Sequence, residues 1–365
     1  MRHRSLRPWI ASGLATLALT AVLPAQEVRV PTARVTNAPR LTLPGRVDSN
    51  NPLVWHSDGP TRILTAITSW GGVPELSRGA SIDTLGIEGG VTFTTHPGHG
   101  VWFEALVVDD QDRWYGFYHH ERPADECQRP DRQLPRIGAA RSTDFGRTWD
   151  DLGIVLDAPP GSSACDSTNR FVLGGVGDVT AALDRDQQFL YLYFSQYGRD
   201  ATTQGVAAAR LAWADRDAPA GRVEIWNEDV WLPASNVAVE GEDARWEYPV
   251  GTSLQPPSRP FHDGHSPADV FWGPAIHWNT HLEQYVMLLN RAKDEQFGQD
   301  GIYVSYAPTL DAPRAWSLPV KVLNGGGWYP QVAGLDAGLG TDKLAGARAR
   351  LFLTGSSSHV IEFER

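Results

Sequence analysis

The 365-residue sequence has little cysteine, only two residues. That is too few for a disulfide-stapled miniprotein or a four-thiolate zinc site. It has no excess of positive charge: 32 Lys and Arg stand against 43 Asp and Glu, a net charge of −11. This balance argues against a nucleic-acid backbone or an anionic membrane surface as the main partner. After residue 26 no apolar run is long enough to span a bilayer, and helical periodicity is scarce. What is plentiful is Gly (36), Pro (26) and aromatic side chains: 14 Trp, 10 Tyr and 12 Phe. So many flat rings either fill a large core or line a site that holds flat ligands.

The N-terminus reads as a targeting segment. Arg2, Arg4 and Arg7 precede an apolar run over residues 10–23, followed by Pro24, Ala25 and Gln26. Basic start, short apolar stretch and small-residue exit are the order of a secretory signal peptide, with cleavage expected near Ala25. The expected division is a signal peptide over 1–25 and a single domain over 26–365. It places the mature chain outside the cytoplasm, secreted or periplasmic, with no membrane contact after cleavage. There Cys127 and Cys165, both in polar, turn-rich stretches, are expected to pair.

The remainder repeats one pattern: an apolar strand, an acidic or Asn-bearing turn, then an aromatic-rich strand. It recurs as 53–59 into 62–67, 105–112 into 114–118, 179–186 into 189–194, 275–280 into 285–289, and more weakly 330–333 into 350–353. In three copies a small-residue strand follows (137–140, 206–209, 301–305), and then a Trp: Trp149, Trp226 or Trp231, and Trp316. Four antiparallel strands recurring every several tens of residues mark a propeller blade. The fold class expected is all-β, a five-bladed β-propeller of four-stranded blades. The segment near 40–44 is expected to supply an outer strand to the last blade and close the ring.

Ser142-Thr143-Asp144-Phe145-Gly146-Arg147-Thr148-Trp149 matches the pattern Ser-x-Asp-x-Gly-x-Thr-Trp. It resembles the Asp-box turn of sialidases and related propeller glycosidases, where the turn sits on the outer rim away from catalysis. No residues match a sialidase's arginine triad and Tyr/Glu nucleophile, so a sialidase-like exo-glycosidase is the weaker of the enzymatic alternatives. The five-blade count instead resembles the arabinanase, xylosidase and fructosidase group of secreted glycoside hydrolases. That resemblance implies carboxyl groups facing a central funnel, usually three, on the first, third and fourth blades: a base or nucleophile, an orienting Asp and a Glu acid.

Asp48, Glu104 and Asp178 stand at the starts of the first three blades and are the candidate catalytic residues. By resemblance Asp48 is the base or nucleophile, Glu104 the acid and Asp178 the orienting group. Two departures stand out. Asn51 occupies the place before Pro52 where the family usually has Asp, and no Glu heads the fourth blade. Glu240, Glu242 or Glu247, in the long loop before that blade, are candidates for the missing acid. Trp102, Trp272, Trp328 and Tyr329 are candidate platforms for sugar rings, and Asn51, Arg291 and Gln331 candidate ligands for sugar hydroxyl or carboxylate groups. Along a strand His119 and Glu121 share one face and His120 takes the other. His119, His120 and His277 are therefore candidates to enter the funnel as further substrate or acid–base groups.

Their spacing is not a convincing zinc pattern. No metal site is assigned and no cofactor is required, although the resemblance admits a central structural calcium. The function expected is hydrolysis of a poly- or oligosaccharide. The alternative from another class is a non-catalytic propeller that binds a glycan or protein.

Overall fold

The computed structural model describes residues 30–238, 245–262 and 267–365. The expected signal peptide, Glu240, Glu242 and the cleavage point all lie outside the described residues. Five antiparallel sheets are arranged as the blades of a propeller. Blade 1 runs through Leu53–Asp58, Thr61–Trp70, Val73–Gly79 and Gly86–Gly90. Blade 2 comprises Gly100–Val108, Trp114–Ala124, Arg129–Ser142 and Thr148–Leu156. Blade 3 is built from Val176–Leu183, Phe189–Gln196, Gly205–Ala212 and Glu224–Asn227, extended by Val230–Pro233. Blade 4 contains Phe271–Asn279, Gln284–Ala292, Gln299–Ala307 and Val320–Asn324. The fifth blade joins Gln331–Gly334, Arg348–Leu353 and Ser356–Glu364 to the N-terminal strand Thr32–Thr42. No helix among the described residues is long and apolar enough to cross a membrane.

The ring closes where the first strand pairs with the last, from Thr32 opposite Glu364 to Thr42 opposite Ser356. This strand begins eight residues before the segment expected to close the ring. Its apolar residues are few and spaced, which is why the sequence hid it. Pairing first and last strands in one blade leaves fewer open sheet edges.

The repeated small residues have a packing reason. A Cβ on Gly138 would land in the Tyr118 ring, and Ala139 and Ala207 pack with Phe117, Ile137, Leu192 and Phe194 between blades 2 and 3. Bulky rings on one strand demand small partners on the next. The turn at Ser142–Trp149 is held locally. The Asp144 carboxylate accepts N–H bonds from Arg147 (3.1 Å) and Thr148 (2.9 Å), and Trp149 donates to the Gly146 carbonyl (2.9 Å). Trp149 is fully buried against Phe103, ring centroids 4.5 Å apart. Cys127 and Cys165 form a disulfide that ties the end of the long blade 2 hairpin to the loop entering blade 3.

Candidate active site

Three innermost strands share one irregularity. Pairing slips between Phe103 and Ala105 in blade 2, between Gly177 and Thr180 in blade 3, and between Trp272 and Ala275 in blade 4. A bulge leaves a residue out of the ladder and re-aims its side chain. The residues so released are Glu104, Asp178 and Gly273. Asp178 has φ +44°, a left-handed conformation uncommon for a non-glycine residue, of the kind that clusters at functional sites.

Glu104 and Asp178 are thereby brought together with His119, from the second strand of blade 2. One ligand atom from each lies within 4.8 Å of the others, and all three residues are buried. The Glu104 Oε2 accepts the Val179 N–H at 2.5 Å. Tyr197 donates its hydroxyl to Asp178 Oδ2. The Asp178 N–H donates to His119 Nδ1 at 3.1 Å, and His119 Nε2 lies 3.5 Å from Glu121 Oε1. Gly177 makes this possible, since a Cβ there would stand 2.5 Å from the imidazole. Trp102 presents its ring edge-on to His119 at 5.7 Å.

Asp48 lies in the loop ahead of blade 1, its N–H bonded to the Ser69 carbonyl at 2.8 Å. Its carboxylate accepts no hydrogen bond from any described residue and keeps partial exposure. Burial, then the charges of Glu121 and Asp178, push it up to about 6.

The other carboxyls respond to the same crowding. Burial, reinforced by Asp178, holds Glu104 well above the usual carboxylate range. Burial also raises Asp178, opposed by His119 and the Tyr197 hydroxyl. Burial alone would lower His119, but the Glu121 contact and the charges of Glu104 and Asp178 outweigh it and push the ring up to about 9. Those carboxyls draw a second proton onto the ring, while the Asp178 N–H occupies Nδ1. Protonation therefore means giving up that backbone bond and turning Nδ1–H toward Asp178 Oδ1, 3.7 Å away. Tyr197 and Tyr329 are both raised, first by burial and then by the neighbouring carboxylates, so both phenols stay neutral donors.

Glu104, His119 and Asp178 are grouped closely enough to hold a metal ion. Calcium fits the set badly. It takes 6–8 oxygen ligands, whereas this cluster offers one nitrogen and two carboxyls, with Glu104 Oε2, His119 Nδ1 and Asp178 Oδ2 already hydrogen-bonded. No step is derived through a metal.

The other expected site residues fall elsewhere. Asn51 and Gln331 bind each other: the Asn51 N–H donates to Gln331 Oε1 (2.5 Å) and Gln331 Nε2 to the Asn51 carbonyl (2.9 Å). They clamp blade 1 to blade 5 rather than standing free for a ligand. His120 faces away from His119, with Nε2 against the Pro97 and Gly98 carbonyls and Nδ1 accepting from Arg136. Burial and Arg136 push it down to about 4, so it is a neutral packing group. His277 lies at the opposite end of the channel, beside Lys343 and Phe363. Trp272 and Trp328 pack edge-to-face with Phe297, and Trp272 is only 2% exposed, which leaves it no open face for a sugar. Tyr329, φ +55°, does reach the carboxyl cluster.

Arg291 is taken up by Asp269 (3.6 Å) and Asp300 (3.7 Å). Asp269 is itself held by Ser258 and the Arg259 N–H. Glu247 pairs with Arg245 in the hairpin Ser235–Val237/Arg245–Glu247. Asp269 and Glu247 are thus already paired, and the bulge position of blade 4 is Gly273. Sequence reasoning missed Tyr197 and left Glu121 outside the site. Tyr197 continues the alternation Tyr191, Tyr193, Ser195 one step past its strand, which was the available signal.

No protein-family model matches the chain, and no curated protein matches it. Solved structures do. An endo-arabinase from Bacteroides thetaiotaomicron is 11% identical, with TM-score 0.50, over 90% of this chain and 96% of that one. The alpha-L-arabinanase of Penicillium chrysogenum is 12% identical, with TM-score 0.48, over 87% and 80%. A GH43_1 enzyme from Xanthomonas citri is 13% identical, with TM-score 0.45, over 90% of each chain. At these identities the likeness is one of fold: a five-bladed propeller similar to those of glycoside hydrolases.

Proposed function

We propose that this chain is an exported glycoside hydrolase that cleaves a poly- or oligosaccharide at the head of its channel. The observation that supports the reading is the meeting of carboxyls from three blades, with Glu104 raised well above the usual range by burial and Asp48 pushed up to about 6. Hydrolysis of a glycosidic bond needs a proton for the leaving oxygen and an ionised carboxylate for water or for the anomeric carbon. Glu104, held neutral by burial, is the acid. Asp48, whose carboxylate accepts no hydrogen bond from any described residue and is ionised above about pH 6, is the base or nucleophile. Asp178, tied to Tyr197 and close to His119, orients the cluster and keeps Glu104 protonated by its charge. Tyr329 and Trp102 border the cluster and supply ring faces for the sugar's C–H surface.

Arabinan is the first substrate to test, since an endo-arabinase shares the fold. The experiment is a reducing-sugar screen over arabinan and other plant and microbial glycans with wild type and E104Q. Turnover lost in E104Q supports the reading. Absence of turnover on every glycan, with binding retained by both proteins, overturns it in favour of a non-catalytic glycan-binding propeller. That second reading draws on blade 4, where Gly273 occupies the bulge and Asp269 is already neutralised.

A further inference from the structure

The far end of the channel has the opposite chemistry to the carboxyl cluster. A cavity of about 410 Å³ opens there, walled by the later parts of the innermost strands, among them Val107, Ala181 and Leu183. In a chain of net charge −11, the charged side chains lining it among the described residues are Arg62, Arg185 and Lys343. Two are held in place by aromatic rings: Arg185 lies 4.5 Å over Trp278, and Arg62 5.7 Å over Trp55. Lys343 Nζ donates to Thr180 Oγ1 at 2.8 Å and lies 3.3 Å from Asp342. Asp342 does not itself line the cavity; its carboxylate accepts the Leu53 N–H at 2.8 Å and offsets part of the Lys343 charge.

A second observation concerns His277, which lines the same cavity. It is 1% exposed, and its Nε2 has no hydrogen-bond partner. Burial and the nearby Lys343 keep the ring neutral, so it retains one N–H donor. A buried polar group without a partner is costly unless something fills the role. The volume lies within the range of small-molecule sites, roughly 300–1,000 Å³.

We propose that this cavity binds a small aromatic monocarboxylate, its carboxylate received by Lys343 and His277 under the Arg185 and Arg62 rim and its ring against the aliphatic wall. Three cations, one of them paired with Asp342, leave a net positive charge that with a neutral imidazole donor suits one negative charge, and the apolar wall suits a flat body rather than a fully hydrated ion such as inorganic phosphate. This site is independent of any glycosidase activity at the other end.

The test titrates full-length protein with 2-naphthoate and with uncharged 2-naphthalenemethanol. It reads heat by calorimetry and the fluorescence of Trp55 and Trp278. Wild type is expected to prefer the acid. K343M is expected to weaken 2-naphthoate roughly tenfold or more, the loss of one charge-assisted hydrogen bond. K343M should leave the alcohol within about twofold, and D48N should bind 2-naphthoate as wild type does. R185Q, on an exposed turn, gives an independent loss should K343M fold poorly. Equal binding of acid and alcohol by wild type, binding unchanged in both K343M and R185Q, loss of binding in D48N, or no binding at millimolar acid each overturns the proposal.

Discussion

Glu104 offers a stability measurement that reads its protonation state directly. Its carboxyl is raised well above 4.5, first by burial and then by Asp178. In the unfolded chain it ionises near that ordinary value. Above pH 4.5, then, folding takes up a proton at Glu104, and wild type loses stability as pH rises for as long as the folded carboxyl stays neutral. The slope is half of about 1.4 kcal/mol per pH unit at pH 4.5 and approaches the full value a unit higher, so the loss between pH 4.5 and 6.5 is roughly 2 kcal/mol. Gln at this position has no proton to take up, and its side-chain oxygen can still accept the Val179 N–H.

E104Q should therefore match wild type near pH 4.5 and become progressively more stable than it toward neutral pH, while turnover disappears. Glu104→Ala should behave differently. It leaves the Val179 N–H unpaired in a buried place, costing about 1–3 kcal/mol, with a further cavity cost. The assay is urea unfolding of the three proteins at pH 4.5, 5.5 and 6.5, with the m-value checked for constancy. A difference between E104Q and wild type that stays flat across this range would refute the argument, because Glu104 would then be ionised in the folded protein.

Other consequences follow from the same geometry. The acid limb of the pH–rate profile should have its midpoint near the value of about 6 to which Asp48 is pushed, with activity rising as Asp48 loses its proton, and D48N should abolish both limb and turnover. Replacing Cys127 and Cys165 by Ser releases a loop with a sequence separation of 38 residues. Chain entropy for that loop predicts a loss of about 4 kcal/mol in urea unfolding. G177A puts a methyl 2.5 Å from the His119 ring, so His119 must move. The expected result is a stability loss of roughly 1–3 kcal/mol and a fall in kcat larger than the change in KM.

The sequence carried the fold through its hairpins. Alternation of apolar strands, acidic turns and aromatic strands is a local signal, and all five first hairpins lie where that alternation placed them, from Leu53–Asp58 with Thr61–Trp70 to Gln331–Gly334 with Arg348–Leu353. Ring closure was less legible. The strand Thr32–Thr42 is paired to residues more than 300 positions away, and its own pattern is mostly polar. A strand that borrows its partner from the other end of the chain shows little local periodicity of its own.

The site was legible to the extent that a bulge can be read from a carboxylate interrupting an apolar run. Glu104 sits inside Val101-Trp102-Phe103-Glu104-Ala105-Leu106, and Asp178 follows three glycines in Gly174-Gly175-Val176-Gly177-Asp178. Each is an acidic residue at a position that regular pairing would bury, and a residue is tolerated there only if the backbone turns it toward other polar groups. The same logic explains the failures. Trp272, His277 and Arg291 lie in or beside blade 4, where the bulge of the innermost strand falls on Gly273 and its pairing with the second strand is otherwise regular. Regular alternation sends Trp272 into the packing with Phe297 and carries His277 down the strand to the far mouth. Proximity in sequence to a blade head was therefore the wrong criterion. Register relative to the bulge decides which side chain enters the head of the channel, and an interrupted hydrophobic run is the sequence trace of that register.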